Sequence, residues 1–345
     1  MNRQETGFGI IGCGSIANWH AGAIARIAGT RLVAVTDLSE KSRSDFARKY
    51  AVEPAESVEK LLSRADVDIV CICTPSGLHA PLAVQALAAG KHVIVEKPMA
   101  LSLPEADAVI RASEQNQVKV AVISQLRFTP AMVKLKEAVD RGLLGRLVTG
   151  DIYMKFYRSP DYYQAGGWRG TWKMDGGGAL MNQGIHGVDL LRYVMGPVRS
   201  IHGYARTLAR PIEVEDTAVA ALEFQNGALG IIEATTSIYP GRPRRLEISG
   251  DRGTIILEED SIIAWDIAGL PLPADVTLGR TLSGAANDPT AMSLDGHVLQ
   301  ISDMVEAVRN GREPLVNARA GRLPVEIILA IYESSRTGKQ IYLER

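Results

Sequence analysis

The first 124 residues constrain the fold of this chain most strongly, because short β-rich runs alternate there with segments of helical periodicity. Parallel strands joined by helices form right-handed βαβ units, and a sheet covered on both faces needs strands that are apolar throughout. The alternation therefore predicts an α/β domain over residues 1–124 with a parallel, doubly covered sheet. The strand-like runs are GFGIIG, RLVAVTD, DIVCICT, HVIVEKP and KVAVIS, and the helical segments are 15–28, 39–50, 78–89 and 104–116.

From residue 125 the pattern changes to alternating apolar and polar residues separated by short turns rich in Gly, Asn and Asp, as in DTAVAALEF and ALGIIEATTS. This pattern is typical of antiparallel strands. We therefore predict an α+β domain over 125–345 with a large, open, mainly antiparallel sheet. Its uncovered face favours a homo-oligomer, either a dimer or a tetramer. Residues 281–296 are small and polar enough for a mobile loop or a simple connector. Helical patterns at 130–141, 179–195, 297–310 and 319–336 would cover the other face of the sheet.

Composition narrows the class of partner. The chain has 345 residues, with 38 basic and 39 acidic side chains and no long run of either sign. This balance argues against a nucleic-acid surface or a polybasic membrane anchor. No apolar stretch approaches the roughly 18 residues of a membrane helix, and the first residues lack the pattern of an export signal. We expect a soluble, cytoplasmic protein that binds a small molecule.

The cysteines indicate a reducing compartment. Cys13, Cys71 and Cys73 are odd in number and lie in apolar, strand-like contexts. Buried reduced thiols fit this arrangement better than disulfides or a metal centre. No metal site is predicted.

The segment GIIGCGSIA places Gly12, Gly14 and Ala17 in a G-x-G-x-x-A pattern between the first strand and the first helix, with Ser15 and Ile16 inside the loop. Glycines there allow a tight turn and the close approach of a pyrophosphate to the helix N-terminus, where free N–H groups and the helix dipole stabilise negative charge. The pattern in this context predicts dinucleotide binding.

Asp37 ends the second strand, where an acid binds both hydroxyls of the adenosine ribose. A carboxylate at that position also repels a 2′-phosphate. We therefore expect NAD as the cofactor, with NADP less favoured.

Two further turns follow strands whose carboxyl ends should face the cofactor. CTPSGLH supplies Thr74, Pro75 and His79, although a plain strand-to-helix turn explains the spacing equally well. VIVEKP supplies Glu96 and Lys97, and a lysine there can stabilise an alkoxide-like oxygen electrostatically as hydride leaves carbon. Without its context, an E-K-P tripeptide is more often a solvated turn.

The stretch DGGGALMNQGIHGVD predicts a helix that carries Asn182, His186 and Asp189 on one face. A proton-carrying histidine usually has an acid or carbonyl to orient it, whereas the neighbour one turn back is an amide that cannot ionise. Gly184 and Gly187 inside a helix each cost about 1 kcal/mol relative to alanine. Either the substrate or a packed strand must approach this helix closely.

Taken together, GIIGCGSIA, TPSGLH, EKP and GGGALMNQGIHGVDLL make the chain resemble the Gfo/Idh/MocA oxidoreductases, the glucose-fructose oxidoreductase and inositol dehydrogenase family. The resemblance implies an N-terminal Rossmann domain, a C-terminal domain with an open antiparallel sheet, and hydride exchange between a nicotinamide and a sugar or cyclitol. It also implies that Lys97 and His186 act at the reacting carbon and that the bond before Pro98 is cis. By the same resemblance, Trp168 and Arg169 lie near the cofactor.

Asn182 departs from the family pattern, since many members carry aspartate four residues before the histidine. The wording MNQGIH looks most like the nucleotide-sugar 3-dehydrogenases, which act on UDP-linked N-acetylhexosamine uronates. The amide removes one negative charge, so with Lys97, Arg127 and Arg169 nearby we expect a positive cleft that suits an acidic or nucleotide-linked sugar. Alternatively, Asn182 only forms hydrogen bonds within the helix packing.

The remaining candidates have equally simple structural explanations. Arg169 can be a surface cation, the tryptophans can be core, and Tyr239 stands in a basic turn that can simply be solvated. The predicted catalytic residues are Lys97, Asn182 and His186; the predicted cofactor contacts are Gly12, Gly14, Ser15, Ile16, Asp37, Thr74, Pro75, His79, Glu96, Lys97, Gln125, Trp168 and Arg169; the predicted substrate contacts are Lys97, Arg127, Asn182, His186 and Tyr239.

The leading hypothesis is an oxidoreductase that exchanges hydride with a hydroxyl or ketone of a sugar, sugar acid, nucleotide sugar or cyclitol. Two alternatives remain open. One is a glycosidase of the same family that uses NAD transiently, and the other is a non-catalytic NAD-binding protein. Stoichiometry discriminates between them, because only the dehydrogenase consumes free NAD with its substrate.

Overall fold

The computed structural model describes residues 5–164, 167–279, 284–288 and 293–343. It divides the chain into two compact units. Unit 1 comprises 1–125 together with 293–322, and unit 2 comprises 126–292 together with 323–345. The predicted junction at 124/125 lies next to the first of these boundaries. Residues 293–322, which we had assigned to the second domain, belong to unit 1 instead.

Unit 1 contains a six-stranded parallel sheet in the order β3-β2-β1-β4-β5-β6, which is a Rossmann arrangement. All the strands predicted for this domain are confirmed, and only the two-residue β3 was missed. Its strands are β1 Thr6–Ile11, β2 Thr30–Thr36, β3 Glu53–Pro54, β4 Ile69–Ile72, β5 His92–Val95 and β6 Val120–Val122. Its helices are α1 Ala17–Ile24, α2 Glu40–Tyr50, α3 Val58–Leu62, α4 His79–Ala88, α5 Leu103–Asn116 and α9 Asp295–Asn310.

Serine caps fix the starts of several helices in unit 1. Ser39, Ser57 and Ser102 each accept a hydrogen bond from a backbone N–H in the first turn of α2, α3 and α5. Such caps satisfy donors that the helix itself leaves unpaired, and each is typically worth about 1 kcal/mol.

Helix α9 returns to unit 1 after the whole of the second sheet. The side chain of Leu294 lies against Gly22 on α1. Gln300 accepts a hydrogen bond from the Ser124 N–H at 2.9 Å and donates one to the Val122 carbonyl at 2.8 Å. The periodicity of 297–310 correctly predicted a helix, but it could not show that its apolar side packs in unit 1.

Unit 2 contains an eight-stranded sheet in the order β13-β12-β11-β7-β10-β9-β8-β14. All neighbouring strands are antiparallel except β7 and β10. The strands are β7 Leu147–Lys155, β8 Val198–Arg206, β9 Thr217–Phe224, β10 Leu229–Thr235, β11 Arg245–Gly250, β12 Gly253–Glu258, β13 Ser261–Ile267 and β14 Ile341–Tyr342. The α-helices are α6 Pro130–Asp140, α7 Pro160–Gln164, α8 Ile185–Met195 and α10 Ala318–Thr337, which begins in unit 1.

One face of the unit 2 sheet is covered. Ile152, Ile232 and Leu246 on the strands belong to one buried cluster with Val188 on α8 and Ile328 on α10. The opposite face carries exposed apolar side chains, as the open-sheet prediction requires. These are Tyr204, Val219, Leu229 and Ile231.

Part of the 281–296 segment lies outside the described residues, namely 281–283 and 289–292. Within it, Gly284–Ala286 forms a short 3₁₀ turn, and Asp295 already begins α9. In the part of the chain that the structure describes, no helix is long and apolar enough to cross a membrane.

Candidate active site

The glycine loop of unit 1 has the geometry that its sequence predicts. Gly12 has φ +93°, and a Cβ there would lie 2.7 Å from the Cys73 carbonyl oxygen, so no larger residue fits. Gly14 and Ser15 are exposed, and a Cβ built at Gly14 meets nothing within 4 Å. The loop thus leaves open space before the first turn of α1, where a pyrophosphate can approach backbone N–H groups.

Asp37 stands beside this loop at the end of β2. One carboxylate oxygen accepts the Cys13 N–H at 2.8 Å and the other accepts the Ser39 N–H at 2.7 Å. Burial, and then the charge of Asp37, raise the pKa of the Cys13 thiol to about 12, so it remains protonated. The carboxylate is therefore held in place by the loop itself, in the position that suits ribose hydroxyls.

Thr74 offers a second sign of fit. Its hydroxyl oxygen is buried and has no hydrogen-bond partner among the described residues, while its methyl group lies 3.0 Å from a Cβ built at Gly12. A buried hydroxyl without a partner is costly, and a bound dinucleotide can supply one. The residues of this loop region thus fit the predicted cofactor.

His79 faces the protein interior. Its Nδ1 lies 2.7 Å from the Pro98 carbonyl oxygen and its Nε2 lies 2.8 Å from the Thr74 carbonyl oxygen. Burial lowers the pKa of His79. The His79 ring therefore links the turn at Thr74 to the turn at Pro98 by hydrogen bonds within the protein interior. Its contact with the cofactor, like that of Pro75, stays a prediction.

Lys97 follows β5 and is half-buried, and the Lys97–Pro98 bond is cis, as the resemblance implied. The neighbouring Glu96 carboxylate is 5% exposed, and it accepts hydrogen bonds from His20 Nε2 at 2.9 Å and from the Lys97 N–H at 3.3 Å. Gln125, the last residue of the first segment of unit 1, is also buried.

In unit 2, the three glycines lead into a π-helix, Ala179–Gly184, which continues as α8. We expected a regular α-helix here. A Cβ at Gly178 would overlap the Glu215 carbonyl oxygen, so this turn requires glycine. The Glu215 carboxylate accepts the N–H groups of Gly178 at 2.9 Å and Leu180 at 2.8 Å, and burial raises its pKa. Short π-helices of this kind are frequent at functional sites.

Asn182 lies in this π-helix and is buried. Its amide nitrogen donates to Asp175 Oδ1 at 2.5 Å, and its oxygen accepts from Gln183 Nε2 at 2.8 Å. The other oxygen of Asp175 accepts the Gly170 N–H at 2.9 Å. A carboxylate therefore lies directly behind the amide, which corrects the expectation that the site simply loses a negative charge. Sequence reasoning missed Asp175, although its carboxylate opens the DGGG stretch.

His186 is half-buried in the first turn of α8. The glycines around it pack against protein. A Cβ at Gly187 would overlap the Met154 sulfur on β7, and one at Gly184 would lie 2.8 Å from the Ala179 carbonyl oxygen. Of the two explanations for these glycines, the packed strand is confirmed for Gly187.

Arg127 does not contribute unpaired positive charge. Its Nε and Nη2 donate to the two carboxylate oxygens of Asp189 at 2.8 and 2.5 Å, and both side chains are buried. The guanidinium also lies over the Tyr193 ring, 4.3 Å from its centroid. Asp189, which we placed on the Asn182 face, therefore neutralises the positive charge that Arg127 was expected to bring to the site. The predicted contact of Arg127 with the substrate stays a prediction.

The remaining candidates in unit 2 are Trp168, Arg169 and Tyr239, and Arg169 packs against aromatic rings. The Arg169 guanidinium is 4.5 Å from the Tyr162 ring centroid and 5.4 Å from that of Trp168. Tyr162 also accepts a hydrogen bond from Gln183 Nε2 at 2.8 Å, which links this loop to the Asn182 network. Tyr239 is 79% exposed, so the structure leaves it on the surface of the chain.

Comparison with known proteins defines the class. Residues 6–124 match the oxidoreductase family with an NAD-binding Rossmann fold, and residues 132–256 match the GFO/IDH/MocA C-terminal domain. The uncharacterized oxidoreductase YrbE of Bacillus subtilis is 31% identical over 254 residues, which cover 71% of this chain and 72% of the relative. The scyllo-inositol 2-dehydrogenase (NAD(+)) of the same organism is 27% identical over 97% of this chain and 95% of its own length.

Two solved structures match nearly the whole chain. The WlbA dehydrogenase of Bordetella pertussis, in complex with NADH and UDP-GlcNAcA, has a TM-score of 0.89 and 33% identity over 99% of both chains. The WlbA dehydrogenase of Chromobacterium violaceum, in the same complex, has a TM-score of 0.90 and 32% identity over 100% of this chain and 97% of its own.

The fold, the glycine loop and these matches define an NAD-binding oxidoreductase. More specifically, the chain belongs to the GFO/IDH/MocA family. The predicted fold class and cofactor are confirmed, and the comparisons lend no support to the glycosidase or the non-catalytic binding protein.

Proposed function

We propose that this protein is an NAD-dependent dehydrogenase of a nucleotide-linked sugar acid. The observation that carries the proposal is the match over 99% of the chain to a WlbA dehydrogenase whose structure contains NADH and UDP-GlcNAcA. The MNQGIH wording around Asn182 supports the same substrate class. The charge of the site does not support this substrate class, because Asp189 neutralises Arg127 and the Asp175 carboxylate lies behind Asn182.

Bound NAD supplies the hydride acceptor. In the proposed reaction, the Lys97 ammonium stabilises negative charge on the substrate oxygen, and the His186 imidazole accepts the hydroxyl proton. Asn182 orients a substrate hydroxyl or the histidine through an amide that Asp175 and Gln183 hold in one orientation. The fixed amide reduces the reorganisation that catalysis would otherwise require.

For the cofactor, we propose that the glycine loop binds the pyrophosphate and that Asp37 binds the adenosine ribose. The open space at Gly14 and the fixed carboxylate of Asp37 support this assignment. The buried hydroxyl of Thr74 donates a hydrogen bond to the dinucleotide. Trp168 and Arg169 remain proposed contacts of the cofactor, and Tyr239 of the substrate.

We also infer that the open face of the unit 2 sheet joins copies of this chain into a homo-oligomer. Ile231 and Leu229 on β10 and Val219 on β9 are 40%, 59% and 45% exposed in the single chain. Exposed apolar side chains on neighbouring strands are costly in water and are typical of protein interfaces.

The test of the catalytic roles uses Lys97→Met and His186→Asn, with Lys60→Met and His202→Asn as controls outside the site. We expect each catalytic variant to lose roughly 100-fold or more in kcat, because each removes a charge-stabilising or proton-transferring group. NADH affinity, measured by fluorescence titration, should stay within about twofold of wild type. Near-wild-type kcat in either variant would show that the residue does not act at the reacting carbon.

A further inference from the structure

Three buried side chains meet within unit 1 at Glu96, the residue before Lys97. His20 comes from α1, Glu96 follows β5, and His297 comes from α9. They are 0%, 5% and 1% exposed. His20 Nε2 lies 2.9 Å from Glu96 Oε1, and His297 Nε2 lies 4.0 Å from the same oxygen. The helix that follows the glycine loop and the returning helix α9 thus converge on the carboxylate that precedes the proposed catalytic lysine.

The second oxygen of Glu96 binds the backbone of Lys97, whose N–H lies 3.3 Å away. Glu96 therefore joins the buried histidines to the residue that carries the ammonium. Glu96 is the carboxylate of this three-residue cluster, and the charge of Lys97 is among the causes that lower its pKa.

Burial alone would favour a neutral Glu96, but chiefly the hydrogen bond and charge of His20 lower its pKa to about 2. Burial and the proximity of His20 lower the pKa of His297 to about 4, so this ring is neutral. The other titratable groups facing the cluster are Cys71 on β4 and Cys73 directly after it, next to His20, and His79 on α4, next to Glu96.

The three ligand-type atoms lie within 4.8 Å of one another, which raises the question of a metal ion. Two ligands on a tetrahedral zinc ion with bonds near 2.0–2.1 Å stand about 3.3 Å apart. The 2.9 Å between His20 and Glu96 is a hydrogen-bond distance instead. The arrangement therefore favours a hydrogen-bonded cluster.

We propose that Glu96, held by His20 and closed off from solvent by His297, is a positioning residue for Lys97. It fixes the backbone at Lys97 and keeps a negative charge behind the ammonium, which favours the protonated lysine. This inference rests on the proposed catalytic role of Lys97, and it replaces a direct cofactor contact as the function of the Glu96 side chain.

The test compares Glu96→Gln, which removes the charge at nearly constant shape, with Glu96→Asp, which keeps it. Glu105→Gln at a surface helix start is the matched control. The first measurement is the pH dependence of acetylation of each lysine by acetic anhydride, read by mass spectrometry. This measurement needs no substrate, so it remains informative even if the proposed substrate class is wrong.

In Glu96→Gln we expect the acetylation midpoint of Lys97 to fall by roughly one pH unit, because the stabilising charge is gone. Other lysines should not shift. The alkaline limb of kcat/KM should fall with it, kcat should drop roughly tenfold, and NAD affinity should stay within about twofold. Glu96→Asp should retain the wild-type midpoint.

If Glu96→Gln does not fold, the double variant His20→Asn, Glu96→Gln replaces the whole pair by two amides and carries the same expectation for Lys97. An unshifted Lys97 midpoint together with a tenfold loss of NAD affinity would overturn the proposal and make Glu96 a cofactor ligand. One zinc ion per chain in purified protein, lost in His297→Ala, would overturn it in favour of a metal site.

Discussion

At the scale of single residues, we propose that Asp37 determines the choice of cofactor. Its carboxylate is fixed by two backbone N–H groups, so it cannot turn away from an incoming 2′-phosphate. We expect Asp37→Asn, which keeps the shape and removes the charge, to raise the NADP/NAD ratio of kcat/KM roughly tenfold. Glu40→Gln, an acid on the next helix, is the control. Wild-type protein that uses NADP as well as NAD would contradict this assignment.

Asn182 is the second residue for which we make a prediction, and the prediction depends on its hydrogen-bond partner Asp175. Asn182→Asp would bring a carboxylate to the buried Asp175, whose oxygen is 2.5 Å from the present amide nitrogen. We expect a loss of about 3 kcal/mol in the free energy of unfolding at neutral pH, since two buried carboxylates cannot both ionise at this distance. Exchanging the pair, as Asp175→Asn with Asn182→Asp, should restore most of the stability.

The stability deficit of Asn182→Asp should also change with pH in a defined direction. In Asn182→Asp, one carboxyl of the pair has a folded-state pKa above its unfolded value of about 3.9, so the protonated form is stable at low pH and stability is lost as pH rises through the raised pKa. The variant should therefore show a smaller deficit in Tm at pH near 5 than at pH near 8. An equal deficit at both pH values would mean that the two side chains do not share a proton.

Motifs made Asp37, Lys97 and His186 accessible to sequence analysis, because each stands at a fixed place relative to a strand end or a helix. Partners from distant turns were not accessible in this way. Asp175 accepts a hydrogen bond from Asn182 across 7 residues that include three glycines, and Arg127 pairs with Asp189 across 62 residues. Predictions of charge at the site failed for that reason.

At the scale of elements, the glycine turn before the π-helix is the most sensitive feature. A Cβ at Gly178 would overlap the backbone oxygen of Glu215, which accepts a hydrogen bond from the Ala179 N–H at 3.0 Å. We expect Gly178→Ala to lower the free energy of unfolding by about 3 kcal/mol or more, measured by urea denaturation.

Gly279→Ala is the matched control, because a Cβ there meets nothing within 4 Å. It should change the free energy of unfolding by no more than about 0.5 kcal/mol. If the two substitutions cost the same, the close approach at Gly178 does not shape the turn.

Element types were largely predictable, and their local irregularities were not. The apolar spacing of 179–195 is compatible with both an α-helix and a π-helix, so only the carboxylate of Glu215 and the packing on Met154 distinguish them. The two-residue β3 contains a proline and has no apolar alternation to detect.

At the scale of the whole molecule, the uncovered sheet face of unit 2 predicts self-association. The double substitution Val219→Lys with Ile231→Lys places two charges on that face, and we expect it to reduce the particle to a monomer of 37.2 kDa by light scattering. Leu208→Lys, at an exposed apolar residue outside the strands, is the control. A wild-type protein that is already monomeric would contradict the inferred oligomer.

The two-domain architecture was predictable from the change of rhythm near residue 125. The membership of 293–322 was not, because an amphipathic helix shows in its sequence which side is apolar and not which sheet it covers. Only the contacts of Gln300 with Ser124 and of His297 with Glu96 show that this helix packs in unit 1.

The most direct measurement of the proposed function follows the absorbance of reduced nicotinamide on mixing the enzyme, at a concentration equal to that of NAD, with UDP-GlcNAcA. Equal concentrations make a single turnover visible even when the cofactor does not exchange. We predict reduced nicotinamide in proportion to UDP-GlcNAcA, with much weaker signals from UDP-GlcNAc and myo-inositol, and none in Lys97→Met. Oxidation of myo-inositol but not of the nucleotide sugar, or cleavage of a nitrophenyl glycoside without net change in NAD, would contradict it.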